Sequence, residues 1–194
     1  IFLNQLEKNR DYPRTNFLGN RFEFLLFNRL NFSIFRTAQF GGEGRNVNLK
    51  TIERVLSGKD TTNRNLLFDE QSGNQIAGID FSFRLLKSKR LKLYGQYLGE
   101  DGLDPIIDDR WIGAIFPSKR FGGIGIGYTF GFDNISHLRL DRIDTESDKA
   151  NVTYNHSLYT DGYRHYNKPI GANIDADSER MVLSLNKLSN KNFY

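Results

Sequence analysis

The run "RTAQFGGEGR", Arg36 to Arg45, places three glycines and two charges in five residues directly after a strand-like alternation. Three kinds of chemistry use such a stretch. A glycine loop can cradle phosphate with its backbone N–H groups, but that motif ends in Gly-Lys-Ser/Thr and opens a helix directly. Here Arg45 is followed by Asn-Val-Asn, so nucleotide binding is set aside. A tight turn that needs positive φ is the structural alternative. The third reading has Arg36, Gln39, Glu43 and Arg45 hydrogen-bonding sugar hydroxyls or carboxylates, since arginine grips a carboxylate bidentately. The last two stay open on sequence alone.

Acidic residues invite a hydrolytic reading. Glycoside hydrolysis needs two carboxyls about 5–10 Å apart across a cleft. Glu100 and Asp101 are adjacent, so on an extended chain they point to opposite faces and do not form a pair. Asp104, Asp108 and Asp109 follow with no diagnostic spacing, and a solvated acidic loop accounts for them. The segment also lacks the regular carboxylate cadence of a calcium loop. The three histidines, His137, His156 and His165, match no common metal-ligand spacing. Ser157 beside His156 and Asp161 lacks the Gly-x-Ser-x-Gly elbow. No catalytic residue and no metal ligand is expected.

"YNHSLYTDGYRHYNKPIG", from Tyr154, interleaves Tyr154, Tyr159, Tyr163 and Tyr166 with Asn155, Asp161, Arg164 and Asn167. Aromatic rings suit the apolar faces of sugars, and planar polar groups suit their hydroxyls. An aromatic girdle at a membrane interface has the same composition. Tyr159, Asp161, Tyr163 and Arg164 join the four residues of the first run as candidate glycan contacts.

These residues need elements to hold them, and the dominant period is two. In "GGIGIGYTFGFD" one face carries Ile124, Ile126, Tyr128, Phe130 and Phe132, and the other is mostly glycine. Glycine at successive same-side positions weakens a strand, which is reasonable where that face must leave room, as inside a crowded barrel. Ile79, Phe81, Phe83 and Leu85 oppose Asp80, Ser82 and Arg84. Leu91, Leu93 and Tyr97 oppose Lys92, Tyr94 and Gln96. Leu138 and Leu140 oppose His137, Arg139 and Asp141, and Met181, Leu183 and Leu185 oppose Arg180, Ser184 and Asn186. Asp80, Arg84, Lys92, Gln96, Arg139 and Arg180 are thus expected on one interior-facing polar wall, mildly cationic and favourable to an anionic polymer, or held by internal salt bridges. "RFEFLLFNRLNFSIFRTAQF" reads as two strands around a turn near Asn28–Leu30, with a bulge or an interface crossing at Phe35–Arg36. One helix is predicted over "NLKTIERVLSG", capped by Asn48, with Leu49, Ile52, Val55 and Leu56 on one face and Gly58 at its end.

Composition narrows the class. The 194-residue chain has no cysteine, which removes disulfides, thiolate nucleophiles and cysteine-based zinc sites. A net charge of +4 without a basic run gives no nucleic-acid arm. Apolar runs such as Phe24–Phe27 fall far short of the ~18 residues of a spanning helix. A transmembrane strand needs only ~9–11 residues, apolar at every second position. Short turns such as Leu86–Arg90 at one end and long connections (41–74, 101–120, 145–179) at the other follow the layout of an outer-membrane barrel.

"SIFRTAQFGGEGR", "LSGKD", "GNQIAGIDFSF", "LYGQYLGED" and "YNHSLYTDGYRHYNKPIG", in this order and spacing, resemble the capsule assembly family called Wzi. The resemblance runs from about Phe32 to Leu185. It implies an all-β, antiparallel transmembrane β-barrel in the cell outer membrane, a monomeric lectin for capsular polysaccharide that is not an enzyme and uses no cofactor. About eight strands are counted, so residues 1–194 are expected to be part of a single barrel domain whose N-terminal part is missing. Outer-membrane lipid and lipopolysaccharide are the expected surroundings. A general porin is the alternative; a glycan-modifying enzyme using Glu100 or Asp101 and a soluble β-sandwich lectin are weaker ones.

Overall fold

The computed structural model describes residues 1–57, 73–85, 90–100, 120–130, 136–146 and 150–187. The turn at 86–90 (all but its last residue), Gly58, Asp101, Asp104, Asp108 and Asp109 lie outside the described residues, as does the side chain of Glu100.

The predicted alternation folds as an antiparallel meander. β1 (Phe2–Gln5), β2 (Asn16–Leu26), β3 (Leu30–Phe40), β4 (Asn74–Arg84), β5 (Leu91–Glu100), β6 (Arg120–Phe130), β7 (Ser136–Asp144) and β10 (Glu179–Lys187) form one eight-stranded sheet in that order. β8 (Arg164–His165) and β9 (Lys168–Pro169) make a separate small hairpin. Among the described residues the sheet is not closed: β1 and β10 are its two edges.

Register sorts the side chains, because cross-strand partners share a face and the period is two. One row runs Leu26–Leu30–Phe83–Leu93–Ile126–Leu140–Leu183 across seven strands, every member apolar. Its neighbours on that face include Phe22, Ile34, Ile124 and Met181, and much of this belt is open: Phe22 is 59% exposed, Leu183 71%. A row on the opposite face runs Glu23–Ser33–Asp80–Gln96–Gly123–Ile143–Arg180. Arg84, Lys92 and Arg139 occupy the same polar face, linked through Gly127.

β3 pairs with β2 and β4 without a break from Leu30 to Gln39, so there is no bulge at Phe35–Arg36. What changes there is the surroundings. Below this level the outer face is the apolar belt; above it, helix α1 (Leu49–Ser57) packs against the sheet. Val55 is buried with Ala38 and Phe40, flanked by Leu18. Asn48 caps the helix: its Oδ1 accepts from the Thr51 N–H at 2.8 Å, satisfying one of the free amides of the first turn.

The main buried cluster lies on the polar side of the sheet, at the end with the long connections. Phe17 and Ile76 from the sheet and Leu6 from the β1–β2 connection pack with Tyr154 and Tyr163. The segment 150–178 therefore folds back over the upper polar face. The glycine face of β6 is also filled. A Cβ on Gly125 would lie 2.5 Å from both Asp141 Oδ1 and the Tyr94 ring, so the missing side chain makes room for that pair.

Candidate functional site

Three loops meet at one rim: residues 6–15, the turn 41–45 and residues 150–178. The first two are joined by the Glu43 N–H, which donates to the Pro13 carbonyl at 2.7 Å, while Arg14 and Glu43 approach to 3.3 Å. Gly42 has φ of 108°, and a Cβ there would lie 2.9 Å from Tyr12 Cβ. The glycine-rich run is thus a turn wedged against a neighbouring loop. Arg45 lies over the rings of Tyr12 (5.2 Å) and Tyr159 (5.4 Å), which themselves meet edge to face.

The first and third loops are joined more densely. The Arg10 side chain is fully buried and donates to the carbonyls of Arg164 (3.0 Å) and Gly162 (3.2 Å). The Asp11 N–H donates to Asp161 Oδ2 at 2.5 Å, and Thr160 N–H donates to Asp11 Oδ2. The two carboxyls also interact directly and titrate in opposite directions. Burial and the hydrogen bond to Asp161 push Asp11 above its ordinary value. Burial alone would raise Asp161 too, but the Asp11 N–H, the Asp11 side chain and the charges of Arg10 and Arg164 hold it below. Glu7 meets His165 Nδ1 at 2.5 Å. Burial pushes Glu7 up, but backbone hydrogen bonds, His165 and Arg10 outweigh it and hold the carboxyl low.

The predicted contacts separate into distinct environments. Arg36 stands on the outer face, where its guanidinium donates to the Leu56 carbonyl at 3.1 Å and to those of Val55 and Gln75's side chain. It satisfies the C-terminal carbonyls of α1 and does not share a surface with Gln39. Gln39 is fully buried on the other face and donates to the Gly162 carbonyl at 2.9 Å. Tyr159 and Tyr163 are buried as well, 0% and 1% exposed, and are core residues rather than stacking platforms. The Tyr159 hydroxyl donates to the Gly41 carbonyl at 3.1 Å, and burial pushes its ionisation well above the usual tyrosine range. The Tyr163 hydroxyl lies 3.0 Å from the Thr37 carbonyl and 3.1 Å from that of Asn74. Arg164 is paired with Asp175 at 2.7 Å and bonded to Asn155 Oδ1 at 2.8 Å. Glu43, Arg45 and Asp161 belong to the rim where the loops meet. The residues that join them there, Arg10, Asp11, Tyr12 and Arg14, lie in a stretch with no periodicity or motif to announce it.

The histidines are engaged separately. His137 lies 3.2 Å from Thr129 Oγ1 on the polar wall, His156 accepts from the Leu158 N–H at 3.1 Å, and His165 meets Glu7. Among the described residues no three acidic or histidine side chains are grouped as a metal site.

On the polar wall, Asp80 takes both Arg21 and Ser33 Oγ (2.6 Å). Asp141 takes Arg139 Nε and the Tyr94 hydroxyl, each at 2.5 Å, while Lys92 lies 5.4 Å from the Tyr94 ring centre. A groove of about 420 Å³ runs between these two clusters, lined also by Gln96 and Gly123. The cations of the wall are partly committed to internal pairs.

An antiparallel meander with an exposed apolar outer face, a polar inner face and its long loops gathered at one end is wall of an outer-membrane β-barrel. Among the described residues no helix is long and apolar enough to cross a membrane. The chain belongs to the capsule assembly protein Wzi family, whose description matches residues 1–193. It aligns with the solved structure of Wzi from Escherichia coli, an outer-membrane protein involved in group 1 capsule assembly and a carbohydrate-binding β-barrel. That alignment has a TM-score of 0.69 and 27% identity, over 92% of this chain and 36% of that one. An uncharacterized 55.8 kDa protein in the cps region of Klebsiella pneumoniae is 34% identical over 103 residues, 52% of this chain and 20% of that protein. The chain therefore spans about a third of the solved relative's length and a fifth of the Klebsiella protein's.

Proposed function

We propose that this chain forms part of a monomeric outer-membrane barrel that binds capsular polysaccharide at its loop rim and holds it at the cell surface. It makes and breaks no bond. The observation that carries this reading is the exposed rim cluster: Arg14 and Glu43 side chains are 49% and 57% exposed, beside the Arg45–Tyr12 stack. An aromatic edge, two guanidiniums and a carboxylate in one place suit sugar hydroxyls and uronic-acid carboxylates. Each contact is weak, and a repeating polymer multiplies them into avidity. The likeness to a carbohydrate-binding barrel supports the same ligand class. The Asp11–Asp161 pair does not suit hydrolysis: the Asp11 and Thr160 N–H groups tie the two carboxylates into the loop junction, whereas glycosidases hold theirs across an open cleft, about 5 Å or more apart.

The test is the partition of capsule between cell surface and medium in cells carrying the full-length protein with Tyr12→Ala, Arg14→Ala and Arg45→Ala. Polymer that is still made but shed is the expected outcome. Retention equal to wild type, with the variant present in the membrane at normal level, removes the rim as the binding site. A general porin would need an open passage. The packing of segment 150–178 onto the polar face weighs against that alternative, and planar-bilayer conductance distinguishes the two.

A further inference from the structure

Helix α1 shows a feature that polysaccharide binding does not use. Successive residues of a helix turn by about 100°, so Leu49, Ile52 and Leu56 fall within about 60° of one another. Only Val55, next along this stripe, is buried against the sheet. Leu49 is 86% exposed, Leu56 63% and Ile52 42%. Lys50 and Arg54, four residues apart, lie on the opposite side of the helix, and Glu53 falls at the edge of the stripe, about 40° from Leu49.

The height of the helix is fixed by hydrogen bonds. Arg36 holds the carbonyls of Val55 and Leu56, and Arg36 is the next outward-facing residue of β3 after Ile34. Two residues of strand rise about 6–7 Å, so the end of α1 sits one step above the belt residue Ile34, itself 41% exposed. The apolar stripe of the helix is therefore continuous with the apolar belt of the barrel wall. It lies at the end bearing the long loops, which is the outer-leaflet end of an outer-membrane barrel.

We propose that α1 is an interfacial anchor in the outer leaflet: Leu49, Ile52 and Leu56 enter the acyl chains of lipopolysaccharide, and Lys50 and Arg54 face its phosphates. A helix with an apolar stripe and a basic opposite side lies in the membrane interface in this way. The chemistry excludes the capsule as occupant, because three large aliphatic side chains offer nothing to a sugar polymer. The anchor rests on the membrane location and not on the lectin reading.

The experiment uses the full-length protein on a cysteine-free background, carrying Leu49→Cys or Leu56→Cys labelled with a polarity-sensitive fluorophore. Leu140→Cys serves as the belt reference and Asn46→Cys as the water reference. Vesicles contain phosphatidylethanolamine with brominated acyl chains, with or without purified lipopolysaccharide. The expected result is a blue shift and a loss of emission at Leu49 and Leu56 that match Leu140, with no loss at Asn46. Emission at both sites like that of Asn46 would overturn the proposal, and so would a blue shift without bromine quenching, which would mean that protein covers the stripe. In a Lys50→Glu, Arg54→Glu variant, the extra shift produced by lipopolysaccharide is expected to disappear. An unchanged lipopolysaccharide effect would overturn the phosphate contact. Capsule retention is unaffected in the variants if the two sites are independent, which separates failure of the anchor from failure of the lectin reading.

Discussion

Tyr163 offers the sharpest test of how the loop cluster is held. Its ring is 1% exposed and packs with Phe17, Ile76, Leu6 and Tyr154, and its hydroxyl lies between the Thr37 and Asn74 carbonyls. Replacing a buried aromatic ring by alanine costs about 3–5 kcal/mol. Losing only the hydroxyl in Tyr163→Phe costs about 1 kcal/mol, the net value of one hydrogen bond. The wall should stay folded, so the cost falls on local opening of segment 150–178. Two amides report that opening: Tyr163 N–H, donated to the Tyr154 carbonyl, and Ile170 N–H, donated to the Tyr163 carbonyl, each at 2.8 Å. At about 1.4 kcal/mol per tenfold, Tyr163→Ala should speed their hydrogen exchange roughly a hundred- to several-thousand-fold, and Tyr163→Phe about fivefold. Exchange of amides within the β6–β7 ladder serves as the unchanged reference. If Tyr163→Ala leaves both loop amides within a few-fold of wild type, this cluster does not hold the loop. Equal effects of the two substitutions would mean that the hydroxyl, and not the ring, carries the stability.

Other substitutions probe other contacts. Gly125→Ala places a methyl group against Asp141 and Tyr94 and should destabilise the wall by about 1–3 kcal/mol, read as a lower urea midpoint. A midpoint equal to wild type would show that Tyr94 moves aside freely. Asp11→Asn should stabilise the loop junction at neutral pH, because the raised value of Asp11 means its charged form is disfavoured when folded. Wild-type stability from this group is present below its unfolded value near 3.8 and is lost as pH rises through the elevated folded value. The advantage of the variant should therefore shrink on acidification, and a constant advantage across that range would contradict the linkage. Arg36→Ala removes the guanidinium from the last carbonyls of α1 and should make residues 49–57 far more sensitive to proteolysis. Capsule retention should not change, and a loss of retention comparable to that of Arg45→Ala would return Arg36 to the glycan surface.

Period-two alternation was enough to place the wall. Asp80, Arg84, Lys92, Gln96, Arg139 and Arg180 share one face because pleating forces alternate residues to opposite sides, and sequence spacing carries that information directly. Asn48 and the Leu49–Val55 spacing marked the helix for a similar local reason. The rim was harder to read. Arg36 and Gln39 are three apart on a strand and must point to opposite faces, yet grouping them by residue type hid that parity. Tyr159 and Tyr163 look like a sugar platform by composition, but tyrosine combines a large apolar ring with a hydroxyl, and both properties also suit a buried loop core whose carbonyls need donors. The rings that pack on them, Phe17 on Tyr163 and Tyr12 on Tyr159, lie more than a hundred residues away in sequence, and no local pattern encodes such pairing. Arg10 shows the same limit: a charged residue in a polar stretch, fully buried by carbonyls near its far partner Arg164.

The junction between residues 6–15 and 150–178 has a consequence in time as well as in space. Strand pairing follows chain order, except that β7 joins β10 past the small hairpin, so the meander can zip up one hairpin at a time. The Asp11–Asp161 and Arg10–Arg164 contacts instead join residues 150 and 154 apart. Closing so large a separation in an open chain costs about 4 kcal/mol in entropy, a cost that falls once the intervening strands have formed. Within this chain the rim is therefore among the last parts to assemble, and Tyr12 and Arg45 meet Tyr159 only once the strands between them have paired. A chain stalled before β7 has paired displays no such cluster, so the rim proposed to face sugar doubles as a mark that the strands between its two loops have assembled.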